Sequence, residues 1–343
     1  MTALSFRAVS TVDYHTGGEP FRIVAAPPVE LPGATVAERR VRAIQDPQAD
    51  GLRKLLCLEP RGHADMYGGF ITPPDDAGAD FGVLCWHKDG FSTACGHGTI
   101  ALGVWAVETG RVQAAADGGA AEVRIDVPSG RVVARVHTEA GQISAVDFVN
   151  VPSYLLALDV EVATSRGTVR VDIGFGGAIY AQLRADRVGL AVVPEQVNEL
   201  IAIGREVKWL LNDSPHAQHP SDDRLGGIYG TIVFEELGTT EDGSLHQRNV
   251  TIFADGEVDR SPCGSGSAAR VAVLDARGDL APGQALVHDS IVGSTFRCRV
   301  VDSLTADGHP AVIPQITGMA YRCGTSEFTV DPHDPFVPGF VLR

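Results

Sequence analysis

The segment Cys-Gly-His-Gly-Thr at residues 95–99 and the segment Cys-Gly-Ser-Gly-Ser at residues 263–267 share one pattern, a cysteine followed by Gly-x-Gly and a hydroxyl residue. Each copy leads into a stretch that is rich in Ala, Ile, Val and Leu. A glycine turn followed by such a stretch is typical of the start of a helix, so each cysteine is predicted at or just before a helix N-terminus. At that position the unpaired N–H groups and the helix dipole favour thiolate over thiol and can bind a carboxylate.

A second marker indicates the same duplication. Residues 13–18 and 172–177 share the spacing Asp-x-x-x-Gly-Gly, and each precedes its cysteine motif by a similar stretch of chain. Similarity at so long a period indicates two domains from one ancestral unit and not a solenoid. We expect the active site to lie between these domains. Two cysteines presented alike could serve opposite faces of one substrate carbon and invert a stereocentre.

Length and composition restrict the class of protein. At 343 residues the chain has room for about two domains, and 44% hydrophobic with 21% charged residues is an ordinary globular composition. The net charge of −15 argues against a nucleic-acid partner. No apolar stretch approaches the ~18 residues of a membrane span, and no signal peptide is recognisable. The six cysteines are scattered without a CxxC pair, as in reduced thiols, so a cytoplasmic protein is predicted.

Short strands are predicted in the middle of the chain, where apolar residues alternate at residues 123–127, 160–162 and 169–173. The clearest helical patterns are fewer. They lie at residues 97–109, 193–211 and 265–276. The first of these helices is apolar nearly all round, which is typical of a helix enclosed by sheet.

These patterns predict an α+β protein with two pseudo-symmetric domains, each a curved antiparallel sheet around a central helix. The first domain is predicted at residues 1–150 and carries Cys95. The second is predicted at residues 151–324 and carries Cys263. A last strand at about residues 325–343 is expected to return to the first domain.

Residues 259–266, Asp-Arg-Ser-Pro-Cys-Gly-Ser-Gly, closely resemble the DRSPCGTG element of the proline racemase family, and residues 95–97 resemble its first cysteine motif. Further matches follow in the family's order at residues 13–19, 58–63, 172–177 and 334–336. The family resembles diaminopimelate epimerase in fold. It includes proline racemase, 4-hydroxyproline 2-epimerase and trans-3-hydroxy-L-proline dehydratase, and its members work without a cofactor.

The resemblance implies roles for particular residues. One of Cys95 and Cys263 would remove the Cα proton as thiolate, and the other would deliver a proton to the opposite face as thiol. His97 and Asp259 would contact the ring nitrogen of the substrate. The carboxylate would be bound by the backbone N–H groups of Gly96, His97, Gly264 and Ser265. Tyr67 and Phe253 correspond to aromatic residues that line the pocket.

Two other functions stay open at this stage. Tyr67 and Ala178 resemble the dehydratase branch, but that branch commonly has Thr at the second cysteine, so Cys263 favours an epimerase. A non-catalytic amino-acid-binding protein would be favoured by loss of a thiol or of Asp259, and all three side chains are present.

Cys95 with His97 could begin a metal site, yet no companion cluster of ligands follows, so no metal is predicted. The expected partner is an imino acid, without nucleic acid or membrane, and a homodimer is compatible with the sequence.

Tyr67 also bears on specificity. It has a phenol hydroxyl where a racemase of unsubstituted proline could use Phe, and a buried hydroxyl without a partner costs about 1–3 kcal/mol. A hydroxyl of the substrate could be that partner. The sequence therefore predicts that a hydroxyproline is preferred over proline.

Overall fold

The computed structural model describes residues 4–342, and residue contacts divide the chain into two units. The first unit holds the described residues up to Val146 and those from Met319 onward, and the second is Asp147–Gly318. Both contain strands and helices, so the protein is of the mixed α/β type. Within the described residues, no helix is long and apolar enough to cross a membrane.

The first unit contains three helices and most of nine strands. The helices are α1 (Val36–Gln45), α2 (Pro47–Cys57) and α3 (Gly96–Glu108). The strands are β1 (Ala8–Thr16), β2 (Glu19–Val24), β3 (Tyr67–Thr72), β4 (Phe81–His87), β5 (Gly90–Phe91), β6 (Ala120–Val127), β7 (Gly130–Glu139), β8 (Gln142–Val149) and β18 (Ala320–Thr329). The chain passes into the second unit within β8.

The second unit contains two longer helices, four short 3-10 turns and nine strands. The helices are α4 (Val197–Asn212) and α5 (Gly264–Arg277), and the 3-10 turns are Ala185–Val188, Pro194–Gln196, Pro215–Ala217 and Asp223–Leu225. The strands are β9 (Ser153–Thr164), β10 (Gly167–Phe175), β11 (Ile179–Arg184), β12 (Ile228–Thr239), β13 (Leu245–Phe253), β14 (Glu257–Asp259), β15 (Leu286–Ser290), β16 (Thr295–Ala306) and β17 (His309–Gly318).

In the first unit, hydrogen-bonded strands follow one another in the order β18, β1, β2, β3, β4, β6, β7. The β2–β3 and β4–β6 pairs are parallel and the others antiparallel. Helix α3 packs against β1, β2, β6, β7 and β18. It is buried at every position from Gly96 to Ala106, because a helix without a polar face must be covered on all sides.

In the second unit, the strands close into a ring. Pairing runs through β9, β10, β11, β12, β13, β15, β16 and β17, and β17 pairs back to β9 where Ala311 lies opposite Tyr154. Helix α5 packs against five strands of this ring, and it is buried from Gly264 to Leu274. Closure takes place at Ser153 and Tyr154 of β9, and α5 is the central buried helix of the unit.

The predicted elements compare well with the observed ones, but the prediction of antiparallel sheets is wrong, because β2–β3, β4–β6, β11–β12 and β13–β15 are parallel pairs. The strands predicted at residues 123–127, 160–162 and 169–173 are confirmed as parts of β6, β9 and β10, and the three predicted helices are confirmed as α3, α4 and α5. Helices α1 and α2 were missed. Their start signals are nevertheless present, since Thr35 caps α1 and Pro47 is the first residue of α2.

Gly103 of α3 lies close to β7, and this contact gives a test of the packing. A Cβ atom on Gly103 would lie 2.7 Å from the Cβ of Ala134. Gly→Ala in a helix normally stabilises by about 1 kcal/mol, but overpacking costs about 1–3 kcal/mol. We therefore expect Gly103→Ala to lower the free energy of unfolding in urea titrations followed by circular dichroism.

Ala134→Gly provides the matched control, since it removes the methyl group that the new side chain would meet. In that background the loss caused by Gly103→Ala should be smaller. Stabilisation by Gly103→Ala alone would show that α3 and β7 are not in close contact.

Candidate active site

Cys95 is the N-cap residue of α3, as the sequence predicts. Its backbone is extended, with φ −154° and ψ 96°, and its Sγ accepts a hydrogen bond from the N–H of Gly98 at 3.3 Å. The hydroxyl of Thr99 donates to the carbonyl of Cys95 at 2.8 Å. The thiol is buried, and its polar neighbours include the first turn of its own helix and the side chain of Cys85.

The imidazole of His97 lies beside this thiol. Its Nδ1 and Nε2 atoms are 3.6 and 3.8 Å from Sγ of Cys95. The rings of Phe21 and Tyr67 contact the imidazole edge-on, with centroid distances of 5.7 and 4.9 Å. The hydroxyl of Thr16 donates to the carbonyl of His97 at 2.9 Å. The imidazole is therefore fixed next to the sulfur by packing and by its backbone.

The hydroxyl of Tyr67 has a hydrogen-bond partner within the protein, contrary to the argument from the sequence. Its phenol O–H donates to Oγ of Ser92 at 2.6 Å, and both side chains are buried. The argument that a substrate hydroxyl could supply a missing partner therefore fails, because the protein supplies one. What Tyr67 contributes here is its ring, which packs against His97.

Cys263 precedes α5 and is held differently. Its φ is +64° and its ψ is 111°, a conformation that costs a residue with a side chain about 1–3 kcal/mol. Its N–H donates to Oγ of Ser261 at 3.1 Å, and the Ser261 hydroxyl donates to Oδ1 of Asp259 at 2.7 Å. The N–H of Ser261 donates to the same carboxylate oxygen at 2.8 Å. Asp259 thus fixes the loop that leads to the second thiol.

A tyrosine that the sequence analysis did not single out contacts the second thiol. Sγ of Cys263 lies 3.9 Å from Oη of Tyr180, and Oη lies 2.8 Å from Oγ of Ser265. Tyr229 contacts the Tyr180 ring edge-on, and Phe253 stacks on Tyr229 with a centroid distance of 5.7 Å. The only sequence signal for Tyr180 is its place three residues after the second Gly-Gly pair.

The second glycine of each cysteine motif makes room for the sulfur. A Cβ atom on Gly98 would lie 2.5 Å from Sγ of Cys95, and one on Gly266 would lie 2.8 Å from Sγ of Cys263. Real Cβ atoms do not approach another heavy atom so closely, so a larger residue would displace the thiol. The repeated Gly-x-Gly spacing therefore has a steric cause in each unit.

The electrostatics of the thiols differ from what the helix termini alone predict. Burial raises the pKa of the Cys95 thiol well above its ordinary value, the Cys85 side chain raises it further, and the His97 imidazole only partly offsets this. Burial also raises the pKa of Cys263, the nearby Asp259 carboxylate raises it further, and the Gly266 N–H lowers it. The pKa of Asp259 itself is raised by burial. Desolvation thus outweighs the helix N-terminus, and the thiol form of each cysteine is favoured near neutral pH.

The structure assembles the candidate residues in two sets, one in each unit. In the first set, Gly96 and His97 lie beside Cys95, and Tyr67 packs against His97. In the second set, Asp259, Gly264 and Ser265 lie near Cys263, and Phe253 stacks on Tyr229, which contacts Tyr180. Across residues 4–342, no cluster of three potential metal ligands includes either cysteine. Each set offers a buried thiol, backbone N–H groups at a helix start and one further titratable side chain, which is the equipment for proton transfer beside a carboxylate.

Comparison with known proteins agrees with these features. The sequence pattern of the family described as proline racemase matches residues 11–341. The chain is 46% identical to a 3-hydroxyproline 2-epimerase of Burkholderia multivorans and 45% identical to a trans-3-hydroxy-L-proline dehydratase of Burkholderia cenocepacia. Each match covers 98% of this chain and 99% of the relative.

The fold is also similar to a crystal structure of a hydroxyproline epimerase from Agrobacterium vitis with bound trans-4-hydroxy-L-proline. The TM-score is 0.89 at 30% identity, with 99% of this chain and 97% of that one covered. A family match over nearly the whole length, with both cysteine motifs at helix N-termini, shows that this chain belongs to the proline racemase family.

Proposed function

We propose that this protein is a cofactor-independent epimerase that inverts Cα of a hydroxyproline. The observation that carries the proposal is the pair of buried thiols, Cys95 and Cys263, each at the start of a buried helix with a glycine that makes room for its sulfur. The preference for a hydroxyproline over proline is supported by the names of the similar proteins. It does not rest on Tyr67, because the hydroxyl of Tyr67 has a partner within the protein.

In the proposed reaction, one thiolate removes the Cα proton and the other thiol donates a proton to the opposite face. The C–H electron pair is delocalised into the carboxylate, which the N–H groups of Gly96, His97, Gly264 and Ser265 would stabilise. After one turnover the thiol and thiolate have exchanged places. Turnover of the opposite stereoisomer restores the first state, so the reaction needs no redox partner.

The substrate nitrogen is the second group to be held. We propose that Asp259 accepts a hydrogen bond from the ring ammonium and that the His97 imidazole contacts the same nitrogen. The Asp259 carboxylate raises the pKa of the Cys263 thiol. A substrate ammonium beside Asp259 would weaken this effect and so lower the pKa of the thiol. Tyr67 and Phe253 would form apolar walls. Substrate binding would thereby help to prepare the second cysteine for its turn as base.

We further propose that the two units are pseudo-symmetric products of a duplication, related in fold to diaminopimelate epimerase, with a boundary near residue 150. Each unit has a cysteine motif opening a buried helix, which supports this origin. The aspartates of the two Gly-Gly markers behave alike, since Asp13 pairs with Arg22 at 2.9 Å and Asp172 with Arg277 at 2.5 Å. A cytoplasmic location stays part of the proposal.

The second candidate reaction is dehydration of trans-3-hydroxy-L-proline. It is favoured by the dehydratase relative, whose identity of 45% is nearly that of the epimerase. In that reaction one cysteine takes the Cα proton, and the other protonates the 3-hydroxyl as it leaves as water. The resulting enamine becomes a cyclic imine. Cys263, at the place where the dehydratase branch commonly has Thr, supports the epimerase.

The first test follows Cα in D₂O. Trans-4-hydroxy-L-proline, trans-3-hydroxy-L-proline and L-proline are each incubated with the enzyme and monitored by proton NMR. We expect loss of the Cα signal together with appearance of the second stereoisomer for a hydroxyproline. A cyclic imine without a stereoisomer would establish the dehydratase. Absence of both changes with all three substrates would contradict the proposed function.

The second test replaces each thiol. Cys95→Ser and Cys263→Ser should each lower kcat by about 10²–10⁴-fold, the range for a general acid or base, because inversion requires both faces. Cys323→Ser is the matched control, since Cys323 is exposed on β18, and it should retain wild-type turnover. Circular dichroism checks that each variant folds. Normal epimerisation by either active-site variant would refute the two-base assignment.

The third test is the pH dependence. Because burial raises the pKa of both thiols, the thiolate fraction is small at neutral pH and grows as the pH rises. We expect kcat/KM for the epimerised substrate to increase about tenfold per pH unit between about pH 7 and pH 8. It should fall again where both thiols have lost their protons. A flat profile over the first interval would show that the resting pair already holds a thiolate.

A further inference from the structure

The strained backbone of Cys263 needs something to hold it. Cys95 reaches its helix with an ordinary extended conformation, whereas Cys263 has φ +64°. A peptide free to relax would leave this region, and such outliers persist only where the surroundings fix them. The backbone group that can be held here is the carbonyl of Pro262, which belongs to the peptide unit just before Cys263.

Two buried side chains hold the Pro262 carbonyl. Nδ2 of Asn249 donates to it at 3.1 Å, and Oγ of Ser267 donates to it at 3.0 Å. Oγ of Ser267 also lies 2.8 Å from Nδ1 of His288. A carbonyl can only accept, so the one hydroxyl proton of Ser267 points to Pro262. Nδ1 of His288 therefore carries the hydrogen and donates to Ser267.

This assignment leaves Nε2 of His288 as a bare acceptor. The imidazole is completely buried, and Nε2 has no hydrogen-bond partner within residues 4–342. Burial lowers the pKa of His288 to about 3, so it is neutral at physiological pH and the Nδ1 proton is always available to Ser267. An apolar side chain of similar size would avoid the unmatched nitrogen. The presence of a histidine is explained if its Nδ1–H is needed.

We propose that Ser267 and His288 are positioning residues. Ser267, oriented by His288, holds the Pro262 carbonyl together with Asn249 and thereby fixes Cys263 in its strained conformation. This inference rests on the proposed function, in which Cys263 transfers a proton at Cα. The conformation keeps Sγ close to the first turn of α5, where the N–H of Gly266 lowers the thiol's pKa. When the hydrogen bond from Ser267 to the Pro262 carbonyl is removed, the backbone relaxes and Sγ moves away from that N–H group. Proton transfer by Cys263 then slows.

The first cysteine motif offers a matched comparison. Thr99 occupies the place of Ser267, but its hydroxyl donates to the carbonyl of Cys95 itself at 2.8 Å. That is an ordinary bond within one turn of helix. The Ser267 hydroxyl reaches one residue further back along the chain. The two hydroxyl residues that end the repeated motifs therefore have different partners, and only the second is joined to a strained peptide.

The experiment compares Ser267→Ala, Ser267→Thr, His288→Phe and Thr99→Ala with the wild type. Steady-state kinetics give kcat and KM for the epimerised hydroxyproline. Alkylation by iodoacetamide at pH 8, read by peptide mass spectrometry, gives the reaction rate of each cysteine separately. Thermal unfolding confirms that each variant is folded.

We expect Ser267→Ala to lower kcat about 10- to 100-fold, the range for a small misplacement of a reacting group, with KM within about twofold. Alkylation of Cys263 should slow about tenfold, which corresponds to a rise of about one unit in the pKa of its thiol. The alkylation rate of Cys95 should stay unchanged. Ser267→Thr should restore both values, and His288→Phe should change them in the same direction as Ser267→Ala. Thr99→Ala should leave Cys263 alkylation at the wild-type rate.

The inference is overturned if Ser267→Ala is folded and keeps wild-type kcat and wild-type alkylation of Cys263. It is also overturned if both cysteines lose reactivity equally, because that pattern indicates general loosening. The alkylation rates do not depend on any substrate. If the wild type turns over no hydroxyproline, the proposed function fails, and selective slowing at Cys263 still decides whether Ser267 and His288 position that thiol.

Discussion

The constraint on which the site depends is that each cysteine sulfur lies against the first turn of a buried helix. The sulfur occupies space that a side chain would otherwise fill, so Gly98 and Gly266 are the residues that allow it. The helix can be central only if strands cover it on all sides, as they do around α3 and α5. The glycine-rich turn, the apolar helix and the surrounding sheet are therefore parts of one steric solution in each unit.

The same burial determines the proton chemistry. Desolvation opposes both thiolates, so the pair tends to hold protons until pH or a bound substrate changes the balance. Each thiol has neighbours that act in both directions: Cys85 raises and His97 lowers the pKa of Cys95, while Asp259 raises and the Gly266 N–H lowers that of Cys263. These neighbours do not assign the role of first base to either cysteine. In the proposed reaction each thiol must serve as base in one direction, and a substrate ammonium beside Asp259 would help Cys263 to do so.

Local pattern explains what the sequence could predict. A glycine turn before an apolar run has one common structural outcome, so the helix starts at Cys95 and Cys263 were predicted correctly. Contacts between distant residues have no such signature. Tyr180 meets Ser265 across 85 positions, and Tyr67 meets Ser92 across 25. Helix α1 is only partly buried and was missed for another reason. Its charged residues interrupt the apolar periodicity, although its capping residues are typical.

The two candidate reactions share more chemistry than their names suggest. In both, a thiolate takes the Cα proton, the carboxylate accepts negative charge, and a thiol gives up a proton, so the pair of cysteines ends with its protons exchanged. What differs is the acceptor of the second proton, which is Cα in epimerisation and the departing 3-hydroxyl in dehydration. A shift of the ring that brings O3 instead of Cα to the second thiol is enough to change the product. A precise position for the Cys263 sulfur is therefore what an epimerase requires most, and a backbone held in a strained conformation by buried hydrogen bonds is one way to provide it.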